Sequence, residues 1–166
     1  MDKKQITFRD AAVDDFDRIV ELYKQLYLNQ YVIEHEKKAN VKDPKRYFVS
    51  RDFKKEVNWR KKWISDRTMK VIVAIYEGKI IGYTNGSVKR HPSAKAKILF
   101  GDEVVIDEDF RHNGIGDLLI KQLIAWGKEK GARQMMIFVF KENKPLRNKY
   151  SSLGFKEKHI CLYKPI

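Results

Sequence analysis

"VVIDEDFRHNGIGDLLIKQLIAWGKEKGA", residues 104–132, is the stretch from which the rest of the chain is read. A β-branched run crosses an acidic turn, Asp107-Glu108-Asp109, and reaches Arg111-His112-Asn113-Gly114-Ile115-Gly116. Leu119, Leu123 and Trp126 follow on one helical stripe, and Lys128, Lys130 and Gly131 close that helix as bases and a terminal glycine do. A tight turn alone needs one glycine. Two, spaced by a single residue at a strand-to-helix junction, predict a close approach to the backbone. The first turn of a helix offers free N–H groups and a partial positive charge. Gly114 and Gly116 would leave those groups open to an anion, with Arg111 as an added charge and Asn113 tolerating a left-handed backbone. A nucleotide P-loop would need Gly-Lys-Ser/Thr, which is absent, and a dinucleotide fingerprint would need a third glycine where Leu119 stands.

Working outward, "QITFRDA" alternates as a short strand and "DDFDRIVELYKQLYL" has helical spacing. "VSRDFKKEVNWRKKWISD" reads as a second helix, and "KVIVAIYEGKIIGYTNGSVKRH" as a hairpin joined at Glu77-Gly78-Lys79. "ILFGDEVVI" is a strand. "QMMIFVF" is a continuous apolar strand of the kind covered on both faces. "PLRNKYSSLGF" is a short helix stopped by Gly154, and "KHICLYKP" is a closing strand. The order predicts an α/β (α+β) sandwich on a mixed sheet, one domain over residues 1–166.

Length and a 43% hydrophobic content suffice for one real core. No run approaches a membrane span, the N-terminus lacks an apolar leader, and lone Cys161 makes neither a disulfide nor a zinc site. A soluble cytoplasmic protein without a metal is expected. The +13 charge is uneven. Residues 31–70 carry 13 bases against six acids, whereas 101–110 hold Asp102, Glu103, Asp107, Glu108 and Asp109 with no base. A basic protein attracts polyanions, either nucleic acid or a nucleotide-containing cofactor.

"RHNGIG" matches the Q/R-x-x-G-x-G/A signature of the GNAT superfamily of acyl-CoA-dependent N-acyltransferases, and "NKPLRNKYSSLGF" resembles its second motif. The opening "ITFRDAAVDDFDRIVELY" is similar to the family's first strand and helix. The resemblance covers nearly the whole chain except residues 31–68, the segment that shapes the acceptor side in that family. It implies a twisted sheet of about six to seven strands, splayed between 99–106 and 134–140 and flanked by about four helices. Acetyl-CoA would lie in the splay, its pantetheine pairing with backbone at Val104, Val105 and Ile106. Its pyrophosphate would sit on Arg111, His112, Asn113, Gly114, Ile115 and Gly116, with Asn143 adding a contact from the second motif.

Acetyl transfer to an amine needs a proton acceptor for the ammonium, donors for the thioester oxygen and a proton near the leaving sulfur. Tyr150, at the family's tyrosine position, is the candidate for the sulfur. Asp102 and Glu103 are the candidates for the amine; strand alternation would send them to opposite faces, and the resemblance favours Asp102. Backbone N–H groups near Val105 would serve the oxygen. His112 lies at the phosphate end, away from the chemistry. The predicted activity is acetyl-CoA-dependent N-acetylation of a small-molecule or protein amine. The alternatives are an acyl-CoA sensor without turnover and a nucleic-acid-associated module on the same fold. No membrane partner is expected, and a homodimer is allowed.

Overall fold

Alternating and β-branched runs form the centre of one sheet, and amphipathic helices cover its faces. The computed structural model describes residues 3–35, 44–90 and 96–158. In chain order these hold β1 (Thr7–Asp10), α1 (Phe16–His35), α2 (Arg51–Ser65), β2 (Met69–Tyr76), β3 (Lys79–Arg90), β4 (Lys97–Ile106), α3 (Ile115–Glu129), β5 (Ala132–Ile137) and α4 (Lys144–Ser152). Ser50 starts α2 by accepting from the Phe53 N–H at 3.1 Å, a capping contact for an otherwise unpaired donor. The β2–β3 turn needs only Glu77 and Gly78, both left-handed, and Lys79 already pairs with Tyr76.

The five strands run β1-β2-β3-β4-β5; β1 to β4 are antiparallel and β5 lies parallel to β4. Ile72, Ala74, Ile81 and Leu99 pack with Ile115, Leu119 and Leu123 of α3 on one face. Val71, Val73, Tyr83 and Val105 pack with Ile19 and Leu22 of α1 and Trp63 of α2 on the other. Burying both faces of β2–β4 supplies most of the apolar burial that holds the layers together.

The described residues hold five of the expected six to seven strands, and the closing strand read at 158–165, with Cys161, lies outside them beyond Lys158. The strand expected over 134–140 runs instead from Ala132 to Ile137. It is not covered on both faces: none of its residues is fully buried, Arg133 and Gln134 are exposed, and Phe138 just beyond it is 79% exposed.

Two departures from a regular ladder position the site. Pairing of β4 with β5 ends at Gly101 and Ile137, so Asp102–Ile106 has β3 on one edge and no described strand on the other. The splay is therefore present. In addition, Asn85 pairs with Glu103 while Gly86 pairs with Gly101, which leaves Asp102 as the extra residue of a β-bulge. Gly86 permits it, since a Cβ there would stand 2.4 Å from the Phe100 carbonyl oxygen.

Candidate active site

The bulge reverses the phase of β4. Leu99 faces α3, but after Asp102 it is Glu103 and Val105 that face α1 and α2. Asp102 receives the Asn85 side-chain N–H at 3.4 Å and Glu103 receives the Tyr83 hydroxyl at 2.7 Å. Asn85 and Tyr83 are two residues apart on β3, so both carboxylates lie on one side of the sheet. The expectation of opposite faces is overturned, because alternation fails across a bulge.

The two acids differ in their surroundings. Glu103 is locked by Tyr83 and by Arg60, whose guanidinium donates to Oε1 at 2.7 Å. Each of its oxygens already accepts from a protein donor, whereas Asp102 has only the longer Asn85 contact. Asp102 keeps open surface, while the protein around its carboxyl, then the Glu103 charge, raises its pKa against the opposing effect of Lys89.

Backbone direction along β4 also divides its residues. The Asp107 N–H donates to Ile81 O, and the Val105 carbonyl lies 2.7 Å from where a Gly82 Cβ would be, so both turn toward β3. Ile106 turns the other way, its carbonyl accepting from Arg111 Nε at 3.1 Å. By alternation Val104 and Ile106 present their backbone groups to the open edge, and Val105 does not. Of the three residues expected to offer backbone to the pantetheine, Val105 is turned toward β3, and the N–H groups near it that face the open edge are those of Val104 and Ile106; Val105 is a core residue, 3% exposed.

The turn after β4 is held by α1. Arg18 pairs with Asp107 and donates to Ile80 O; Gln25 accepts from the Glu108 N–H at 3.0 Å and from Arg111 at 3.3 Å. Arg111 is thus directed back onto β4 and α1, bracing the turn as well as charging it. His112, not Asn113, takes the left-handed backbone, with φ 64°. Asn113 instead donates to Phe110 O and Arg111 O, closing the loop under it. Gly114 is left-handed too, φ 76°, and leads into α3. A Cβ on Gly116 would meet nothing nearer than Val104 Cγ1 at 3.7 Å, so packing does not demand glycine there. The Lys3 ammonium lies 3.3 Å from a Gly114 Cβ position and brings a second cation to the turn. Open backbone on β4 running into a left-handed Gly114 and a Gly116 that packing does not require suits a pantetheine and pyrophosphate.

Tyr150, on α4, is 8% exposed and packs edge-on to Phe155 with ring centroids 5.2 Å apart. Burial pushes its phenol up to about 12. Asn143 caps α4, its side-chain oxygen accepting from the Leu146 N–H at 3.2 Å. Sequence reading missed Lys3, Arg18, Gln25, Arg60, Tyr83 and Asn85. The one signal for Arg60 was the acidic pair itself, which calls for a countercharge from a basic segment.

Among the described residues no cluster of His, Cys, Asp and Glu is arranged to hold a metal, and no helix is long and apolar enough to cross a membrane. The acetyltransferase (GNAT) family pattern matches residues 19–155, and the chain belongs to that family. An uncharacterised N-acetyltransferase of Methanocaldococcus jannaschii, MJ1207, is 29% identical over 159 residues, 95% of this chain and 63% of that protein. The aminoglycoside N(6')-acetyltransferase type 1 of Salmonella typhimurium is 26% identical over 94 residues, 55% of this chain and 65% of that protein. The matched parts thus span less than two thirds of these curated relatives. A solved structure of the aminoglycoside N-acetyltransferase AAC(6')-Iy in complex with CoA shares the fold, with a TM-score of 0.72 at 18% identity, covering 96% of this chain and 94% of that one.

Proposed function

We propose that the protein is an N-acetyltransferase that moves an acetyl group from acetyl-CoA to a primary amine by direct attack in a ternary complex. The observation that carries this reading is the open edge of β4, Asp102–Ile106, running into the left-handed turn at Gly114. Val104, Ile106 and the first N–H groups of α3 hold the cosubstrate, with Lys3 and Arg111 beside the phosphates and Asn143 at the far wall. Acetyl-CoA supplies an acetyl carbonyl activated by a thiolate leaving group. The Val104 or Ile106 N–H, facing the open edge, donates to the thioester oxygen as charge gathers there. Asp102 attracts the ammonium and takes its proton, directly or through water; its raised pKa makes it a stronger base than a free aspartate. The amide C–N bond forms as the C–S bond breaks, and the sulfur ends protonated.

Tyr150 donates a hydrogen bond to that sulfur. A phenol near 12 holds its proton more tightly than a thiol of about 8.5, so it stabilises the leaving thiolate and solvent completes the protonation. The acceptor is a small-molecule amine or a protein amine, the first favoured by the aminoglycoside acetyltransferases among the relatives. Free-thiol release from acetyl-CoA, measured with polyamines, aminoglycosides, amino acids and short peptides, tests the reading. Release with one class establishes the reaction and names the acceptor. Protein that binds acetyl-CoA but releases no thiol with any amine would be a sensor instead. In the active case Tyr150→Phe lowers turnover roughly 10²-fold with unchanged CoA affinity. Because the phenol stays protonated below about 12, the wild-type and variant rate profiles run parallel from pH 6 to 10.

A further inference from the structure

Asp102 and Glu103 stand side by side, yet a cation reaches only Glu103 directly. Arg60 comes from α2, inside the 31–68 segment that least resembles the family, and pairs with Glu103 at 2.7 Å; the two side chains are 8% and 10% exposed. Its guanidinium lies 3.4 Å from the Tyr23 ring centre and 5.2 Å from that of Trp63. It also donates to Glu56 at 3.4 Å, and Glu56 accepts from the Tyr23 hydroxyl at 2.6 Å. Arg60 Nε is buried with no partner among the described residues. Fold stability does not account for this arrangement. Buried ion pairs are commonly matched or exceeded by apolar residues of the same shape, and an unsatisfied buried donor is a cost. What the pair accomplishes is local: it sets a countercharge against Glu103, one of two adjacent carboxylates, and leaves Asp102 without a direct cation.

We propose that Arg60 is a positioning residue that gives the two β4 carboxylates different roles, pairing with Glu103 and offsetting part of its charge so that Asp102 meets the acceptor amine as the ionised group. This rests on the reading of Asp102 as the acceptor-side base. The charges that act on Asp102 are Glu103 from β4 and Lys89 from β3, and the Asn85 amide of β3 donates to it; Tyr83 of β3 and Arg60 of α2 hold Glu103, with Glu56 of α2 and Tyr23 of α1 behind Arg60. With Arg60 present, the Glu103 carboxylate is tied to a guanidinium and to the Tyr83 hydroxyl, and Asp102 is the one left facing the acceptor side. Without it, two neighbouring carboxylates share one proton and neither is a defined base.

The test is a carbon-13 NMR titration of the side-chain carboxyls, with Asp102 assigned by the signal lost in Asp102→Asn. Arg60→Met should raise the Asp102 midpoint by about one unit or more, because the Glu103 charge is then uncompensated. Glu103→Gln should lower it, because the repulsion is gone and the Arg60 charge is left. The double variant Arg60→Met/Glu103→Gln, which buries no unpaired charge, should titrate between the two, and Arg60→Lys should stay near wild type. If Arg60→Met does not fold, the fall in Glu103→Gln and its reversal in the double variant carry the test. Asp102 midpoints that are unmoved, or that move the same way in every variant, would make Arg60 merely structural and overturn the proposal. With an amine that turns over, the acid limb of kcat/KM must follow the NMR midpoints; a limb that stays put while they move also overturns it. If no amine turns over, the acetyltransferase reading fails while the titration still reports on the pair.

Discussion

At the scale of the residue, the glycines of the β4–α3 turn answer to two different demands. Gly114 has φ 76°, where a side chain is strained, and it neighbours Lys3, so its identity is required by the backbone. Gly116 begins a helix and has room for a methyl group, with only Val104 Cγ1 at 3.7 Å. A ligand is what would demand glycine at 116. Gly116→Ala is therefore the cleaner probe: alanine is a better helix former by about 1 kcal/mol, so stability to urea should hold or rise. CoA affinity measured by calorimetry should nevertheless fall at least about 10-fold, the equivalent of ~1.4 kcal/mol. Unchanged affinity would place the pyrophosphate somewhere other than on this turn.

At the scale of the element, β4 does the most to organise the site. Its first half pairs on both sides, its second half has no described strand on one, and the bulge between them turns Asp102 and Glu103 the same way. Helix α1 then anchors the turn that follows through Arg18 and Gln25, so the phosphate end is held by an element distant in sequence. Gly86 is the point on which the bulge depends. Gly86→Ala would drive a methyl group into the Phe100 carbonyl, a backbone group that cannot rotate aside. We expect a loss of about 1–3 kcal/mol in urea unfolding from this overpacking. Turnover should fall further than CoA affinity, because the displaced strand carries the acceptor-side carboxylate. Equal losses in both would mean that the bulge does not position the chemistry.

At the scale of the whole molecule, two apolar layers hold a site that itself lowers stability. The protein around its carboxyl, then the Glu103 charge, raises the Asp102 pKa above its unfolded value, so ionising it costs more in the folded chain than in the unfolded one, by an amount that its contact with water reduces. Stability therefore falls as pH rises from the unfolded pKa to the folded one, and the deficit persists at neutral pH. Asp15 works in the opposite sense: the Arg9 hydrogen bond lowers its pKa, and that stability is lost as pH falls through the folded value. Asp102→Asn should thus raise Tm at pH 7 while lowering turnover, with the gain gone near pH 3, where both states are protonated. A variant with a lower Tm at pH 7 would show that the Asn85 contact outweighs the burial penalty.

Much of this was legible in the chain alone. Hydrophobic spacing placed α1, α2, α3 and the β2–β3 hairpin, and "RHNGIG" with its preceding strand marked the turn where Gly114 caps a helix. These features depend on residues within a few positions of one another, and local chemistry determines them. The bulge at Asp102, the turning of Val105 toward β3 and the capture of Glu103 by Arg60 did not show in any local pattern. Each is decided by pairing between segments distant in sequence, Arg60 and Glu103 lying 43 residues apart. The sequence determined which groups reach the end of β4; only the tertiary structure decided which of two adjacent carboxylates is paired, because that depends on where a distant guanidinium is buried.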